Sequence, residues 1–279
     1  MTVILPHAVL PHAVLPHASA ATLLPSERHP AARPARPARP VPPAPLSPAL
    51  SKLLARLPVQ DDGEALRQSL FHSGTHFNPD LLTSEAERRA RLEGVHAALD
   101  RAESLVFLDT ESTGGRNGRL IEVALVETDV EQNVTGGLHF RCNPHRRSLA
   151  GARRVHGIQD CELEHCPEFA ARADELLEAV RGKTVVIHDR TMDLLWLNRE
   201  LQAARPGAPR FEDRCTVVDS FVLARAIPSE RRRNGLDALL EWYGLGARGG
   251  HHDAYGDAAL LSRVFFELWW DLDEWLYGE

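Results

Sequence analysis

The sequence lacks the features that mark several classes of protein. Its 279 residues include four cysteines, at positions 142, 161, 166 and 215, and no two of them form a Cys-x-x-Cys pair. This spacing argues against a structural zinc site, and so few cysteines in a chain this long argue against a secreted disulfide scaffold. The chain also has no apolar run of the roughly 18 residues that a membrane helix needs. We therefore expect reduced cysteines, a cytoplasmic protein and no membrane contact.

An excess of positive charge is also missing. The formal net charge is -7, which excludes a protein that coats nucleic acid with a broad basic surface, so any such contact must be local. Two arginine clusters are candidates for a local contact, one at 146, 147, 153 and 154 and the other at 231–233. Solvated loops are the alternative interpretation of both clusters.

Proline and a short repeat divide the chain into three parts. Residues 1–50 are low in complexity, and the pentapeptide LPHAV occurs at 5–9 and again at 10–14. Dense proline removes backbone donors and blocks helices, so this part is predicted to be disordered. Residues 51–102 contain short apolar stripes at helical spacing and are predicted to form a helical extension. Residues 103–279 are predicted to form the globular domain.

The order of apolar runs in this last part predicts an α/β fold. Short continuous runs, typical of buried strands, occur at 105–108, 120–126, 134–142, 184–187 and 217–218. Apolar residues at helical spacing occur at 167–180, 193–201, 221–226, 235–243 and 253–272. Strands that come first and then alternate with helices imply a mixed sheet of about five strands flanked by helices.

Acidic residues follow several of these elements. Asp109 and Glu111 end the first strand, where residues i and i+2 point to the same face. Carboxylates this close repel each other unless a cation lies between them, which suits a site for hard divalent cations. Asp193 lies at the start of the helix after the fourth strand, where a helix cap is the alternative role. Asp257 lies in the last helix, behind a loop residue, His252, that is placed to take a proton from water.

These residues, in this order, resemble the DnaQ-like exonuclease superfamily, in the DEDDh branch whose third motif contains histidine. The three motifs are LDTESTG at 108–114, IHDRTMD at 187–193 and HDAYGD at 252–257. Two shorter segments are also similar, VHGI at 155–158 and NGLDAL at 234–239. The resemblance covers about residues 104–270, and the second motif departs from the family in having an aspartate after its histidine.

The resemblance implies an RNase H-like fold and a metal-dependent 3′→5′ exonuclease domain at 103–279. The substrate would be the 3′ end of single-stranded DNA, in proofreading or repair, and the product a nucleoside 5′-monophosphate. Two Mg²⁺ or Mn²⁺ ions would be held by Asp109, Glu111, Asp193 and Asp257. His252 would act as the general base.

The resemblance further implies which residues contact the substrate and which partners the protein has. Thr110, Thr113, Val155 and His156 are the candidates for contact with the 3′-terminal nucleotide. Single-stranded nucleic acid is the implied partner, and a DNA polymerase is a second candidate. A sliding clamp is a third, because RQSLF at 67–71 is similar to peptides that dock on such clamps.

Three alternatives stay open at this point. One is a 3′→5′ exoribonuclease of the same superfamily, because no residue decides how the 2′-OH is treated. Another is a catalytically silent module that binds nucleic acid or a polymerase, although all four acids and the histidine are present. The last is a metal-binding scaffold that uses the histidines of residues 1–50.

Overall fold

The computed structural model describes residues 84–115 and 117–278. The predictions of a disordered segment at 1–50, of helix before residue 84 and of a clamp-binding peptide at 67–71 lie outside these residues.

A five-stranded mixed sheet forms the centre of the domain, as predicted. Its strands are β1 Ser104–Ser112, β2 Leu120–Asp129, β3 Val134–Arg141, β4 Thr184–Ile187 and β5 Thr216–Asp219. The spatial order is β3-β2-β1-β4-β5. The first three strands are antiparallel, whereas β4 runs parallel to both β1 and β5. The carboxyl ends of β1, β4 and β5 therefore meet at one edge of the sheet.

Helices cover both faces of this sheet. They are α1 Glu85–Asp100, α2 Ala150–His156, α3 Asp160–Leu163, α4 Ala173–Val180, α5 Thr191–Ala204, α6 Ser220–Ala226, α7 Leu236–Tyr243 and α8 Ala254–Tyr277. The side chains of β1 alternate between the two faces, as the period of two in a strand requires. Leu105 and Phe107 belong to the core under α8, whereas Val106 and Leu108 belong to the core under α4 and α5.

Some predicted boundaries were wrong. The helix predicted at 167–180 is a 3₁₀ turn at Phe169–Ala171 followed by α4, and the short helices α2 and α3 were not predicted. Both of these helices are too short for an apolar period to show in the sequence. The strand predicted at 105–108 continues to Ser112, so both acids of the first motif lie inside β1.

The helix α1 packs in the same core as α8. Its buried residues Leu92, Val95 and Leu99 share a cluster with Phe265 and Leu268. A hydrogen-bonded pair supports this contact, with the His96 Nε2 atom 2.9 Å from the Asp273 Oδ1 atom. Within the described residues, no helix combines the length and the apolar character needed to cross a bilayer.

Candidate active site

The two acids of β1 point to the face of the sheet that α8 covers. Asp109 and Glu111 continue the row of Leu105 and Phe107, and Phe107 packs against Phe265 with ring centroids 5.7 Å apart. Along this face of β1, the side chains are apolar inside the core and acidic where the strand leaves it. This places two carboxylates beside the first turn of α8.

Asp193 approaches from the opposite face of the sheet. It lies in the first turn of α5, directly after β4, and it is buried. The Thr110 hydroxyl donates a hydrogen bond of 2.6 Å to the Asp193 Oδ1 atom. Because Thr110 lies between Asp109 and Glu111 and points the other way, it links the β1 acids to α5. Thr110, predicted as a substrate contact, is buried and bonded to Asp193 in the structure.

Asp257 and His252 flank the start of α8. Asp257 is in the first turn of the helix, and Asp253 caps it by accepting a 2.7 Å hydrogen bond from the Gly256 amide. The His252 amide donates to the Val155 carbonyl at 2.9 Å, so the loop is held by the end of α2. Glu111, His252 and Asp257 each offer one possible ligand atom, and these three atoms lie within 4.8 Å of one another.

Burial and neighbouring negative charges raise the pKa values of the four carboxylates. Burial is the largest cause for each of them. The pKa of Asp109 lies well above its usual value because of burial and the charges of the other three acids. Burial and the neighbouring charges of Asp257, Glu122 and Asp193 raise the pKa of Glu111 to about 8. Burial also raises the pKa of Asp193 to about 7, against the Thr110 hydrogen bond, which lowers it.

This donor set fits hard divalent cations. Clustered carboxylate oxygens are the ligands that Mg²⁺ and Mn²⁺ prefer. The raised pKa values show that the ionised carboxylates are disfavoured by burial and by neighbouring acids, and a bound cation would stabilise their ionised form. Asp109, Glu111, Asp193 and Asp257 are the residues that would hold these ions.

Two further residues belong to the site and were missed at the level of sequence. Glu122 on β2 is buried and accepts a 3.0 Å hydrogen bond from the Ala254 amide at the start of α8. Its sequence signal is an acid inside the apolar run LIEVALV at 120–126. Arg248 lies in the loop before α8, with Nη1 2.9 Å from the Asp257 Oδ2 atom and 2.7 Å from the His252 Nδ1 atom.

The other predicted substrate contacts differ in exposure. Val155 is 46% exposed beside the His252 loop, whereas His156 is buried and its Nδ1 atom accepts a hydrogen bond from the Ile158 amide. Thr113 is also buried, and its backbone groups pair with Arg119 and Leu149. Among the four predicted contacts, Val155 therefore offers the exposed side chain.

The two arginine clusters have different surroundings. Arg231 is buried, and its guanidinium is bonded to Asp271, to the Tyr243 hydroxyl and to the Ala224 carbonyl. It therefore stabilises the packing of the loop before α7 and does not contribute to a surface track. Arg146, in the other cluster, donates to the Asn117 carbonyl in the loop that follows β1.

A mixed sheet with four carboxylates and a histidine at the edge where its parallel strands end defines a domain of the nuclease type. The model of the family described as "Exonuclease" matches residues 106–265. The chain therefore belongs to this exonuclease family, and the predicted resemblance is confirmed.

Similar proteins agree with this assignment. The DNA polymerase III subunit epsilon of Rickettsia felis is 34% identical over 168 residues, which are 58% of this chain and 72% of that protein. The protein of the same name from Escherichia coli K12 is 33% identical over 172 residues, covering 58% and 70% respectively. The crystal structure of E. coli exonuclease I in complex with a dA16 oligonucleotide has a TM-score of 0.50 at 21% identity. The matched region covers 62% of this chain and 41% of the exonuclease I chain. At this level of identity the likeness shows the fold alone.

Proposed function

We propose that this exonuclease domain removes nucleotides from the 3′ end of single-stranded DNA and releases nucleoside 5′-monophosphates. The observation that carries the proposal is the cluster of Asp109, Glu111, Asp193 and Asp257, whose charges act on one another, with the His252 imidazole beside Glu111 and Asp257. The name of the similar proteins from Rickettsia felis and Escherichia coli supports DNA as the substrate, since both are subunits of a DNA polymerase.

The four carboxylates are proposed to hold two divalent cations. Bound there, Mg²⁺ or Mn²⁺ would lower the pKa of a water molecule and stabilise the charge on the departing 3′ oxygen. Asp109 and Glu111 bring their oxygens from β1, and Asp193 and Asp257 bring theirs from the first turns of α5 and α8. Because the four come from one strand and two helices, the set forms only when both helices pack against the sheet.

His252 is proposed to accept the proton of the attacking water. Its Nδ1 atom is 3.5 Å from the Asp257 Oδ2 atom, so a neighbouring carboxylate can stabilise the imidazolium that forms. Its backbone is fixed to α2 through the Val155 carbonyl. The exposed Val155 side chain is a candidate contact for the terminal nucleotide. A nucleotide bound there would lie next to the end of α2, which holds the backbone of the general base His252.

A degradation assay tests this function. The protein is incubated with Mg²⁺ or Mn²⁺ and 5′-labelled single-stranded DNA or RNA of equal sequence. We expect a ladder that shortens stepwise from the 3′ end of DNA and is absent with EDTA. Asp109→Asn should lose activity by at least a hundredfold, because the ligands act as a set. Asp174→Asn, a change at an exposed aspartate of α4, should have wild-type activity.

Other outcomes of this assay contradict parts of the proposal. A ladder on RNA and none on DNA would favour the exoribonuclease. No ladder on either strand, from folded protein that binds Mn²⁺, would favour a silent module that binds nucleic acid or a polymerase. Activity retained by Asp109→Asn would exclude the proposed ligand set.

A further inference from the structure

Arg248 places a positive charge inside the candidate active site. Its side chain is 16% exposed, and it comes from the loop between α7 and α8. The Nη1 atom lies 2.9 Å from the Asp257 Oδ2 atom. The Nε atom lies 2.9 Å from the Asp237 Oδ1 atom, at the start of α7. One guanidinium therefore joins a predicted metal ligand to an exposed acid on a different helix.

The same guanidinium contacts His252, the candidate general base. Its Nη1 atom is 2.7 Å from the His252 Nδ1 atom and 3.2 Å from the Nε2 atom. Arginine stays charged at all accessible pH values and can only donate hydrogen bonds. Any hydrogen bond between the two side chains therefore uses a lone pair of the His252 imidazole.

We propose that Arg248 is an internal cation that competes with divalent metal ions for this site and so sets their affinity. The inference rests on the proposed metal-dependent function. A divalent ion bound at Glu111 and Asp257 would lie within a few ångströms of the guanidinium and be repelled by it. At such a separation, even solvent-like screening leaves a repulsion large enough for about a tenfold change in affinity. Binding of the ion requires Arg248 to move away from Asp257, which also releases His252.

The test measures metal affinity directly. Isothermal titration calorimetry with Mn²⁺, without nucleic acid, compares wild type with Arg248→Gln, which removes the charge and keeps a polar side chain. We expect Arg248→Gln to bind Mn²⁺ about tenfold more tightly. Arg248→Lys retains the charge and should bind within about threefold of wild type. Arg233→Gln makes the same change in net charge at a residue 77% exposed and should leave the affinity unchanged.

The outcomes separate this inference from a purely structural role. If Arg248 served to hold His252 and Asp257 in place, its loss would weaken Mn²⁺ binding and lower the melting temperature. Equal or weaker binding by folded Arg248→Gln, or tighter binding by both Arg248→Gln and Arg248→Lys, would overturn the inference. Arg248→Met gives a second neutral variant if Arg248→Gln does not fold.

The same titration also examines the proposed function separately. If wild type and the neutral variants all fail to bind Mn²⁺, both the metal-dependent function and the competition are wrong. If wild type binds Mn²⁺ and loses binding on Asp257→Asn, the metal site stands whatever the result for Arg248. Failure of the competition alone would then leave the exonuclease proposal intact.

Discussion

At the scale of single residues, Thr110 is a buried side chain that contacts one of the proposed metal ligands, Asp193. It lies between the two acids of the first motif and faces the opposite side of the strand. Its hydroxyl donates to Asp193 at 2.6 Å, and both residues are buried. A hydrogen bond to a charged group of this kind contributes about 1.5–3 kcal/mol. We infer that Thr110 fixes the carboxylate of Asp193 relative to β1.

Thr110→Val should therefore lower kcat about tenfold or more, because Asp193 loses a donor that orients it. Thr110→Ser retains the hydroxyl and should restore most of the rate. Steady-state kinetics on a labelled oligonucleotide measure both variants, with circular dichroism as the control for folding. Equal rates for Thr110→Val and wild type would show that the hydrogen bond does not position Asp193.

At the scale of secondary structure elements, the start of α8 depends on contacts with β2 and α2. Glu122 accepts hydrogen bonds from the Ala254 amide, from the Arg141 Nε atom at 2.9 Å and from His139 at 3.1 Å. Burial raises the pKa of Glu122, but these hydrogen bonds outweigh it and bring the pKa down to about 2. A carboxylate whose pKa is lowered on folding stabilises the protein above its unfolded pKa.

Glu122→Gln should therefore destabilise the protein most at neutral pH. A shift from 4.5 to about 2 corresponds to about 3 kcal/mol of unfolding free energy above pH 5. This contribution should disappear as the pH falls from about 4.5 towards 2, so the two proteins become similar in stability there. Urea unfolding across this range measures the difference, and a difference independent of pH would contradict the assignment. Glu162→Gln, which removes a more exposed partner of Arg141, should cost less than 1 kcal/mol.

The end of α2 contacts the His252 loop closely. Gly157 has a φ of +72°, and a Cβ atom there would lie 2.8 Å from the His251 Cγ atom. We expect Gly157→Ala to displace His251 and its neighbour His252, and so to lower kcat at least tenfold. Gly182→Ala is a matched control, because Gly182 has a φ of +68° with nothing within 4 Å of its Cβ position. An equal decrease in kcat for the two variants would mean that backbone strain explains the decrease without the His251 contact. No decrease for Gly157→Ala would mean that the contact does not matter for activity.

At the scale of the whole molecule, the sheet and α1 share one core. Leu92, Val95 and Leu99 are all less than 10% exposed and pack with residues of α8. Burial of an aliphatic side chain of this size contributes about 1.5–3 kcal/mol. The helix before the exonuclease domain is therefore part of what keeps the domain folded.

Removal of α1 should lower the unfolding free energy. A protein comprising residues 103–279 is expected to lose roughly 5 kcal/mol relative to one comprising residues 84–279, from the exposure of these three side chains. Denaturant unfolding of the two proteins measures this difference. Equal stability would show that α1 is dispensable and that a boundary at residue 103 separates independent units.

The sequence by itself predicted the five strands, the longer helices and the residues of the proposed ligand set, whereas the short helices α2 and α3 came to light only in the structure. Apolar runs predicted β1, β2, β4 and β5 because burial on both faces demands such runs, whereas the run at 134–142 forms β3, most of which is exposed. The spacing of Asp109 and Glu111 placed both acids on one face of β1. The tertiary structure decided which other residues join the site. Glu122 and Arg248 reach it from β2 and from the loop before α8, and Thr110 contacts Asp193, 83 positions along the chain, on the face that α5 covers. Such contacts depend on which strands are neighbours and how helices pack on them, and local patterns in a sequence do not encode that arrangement.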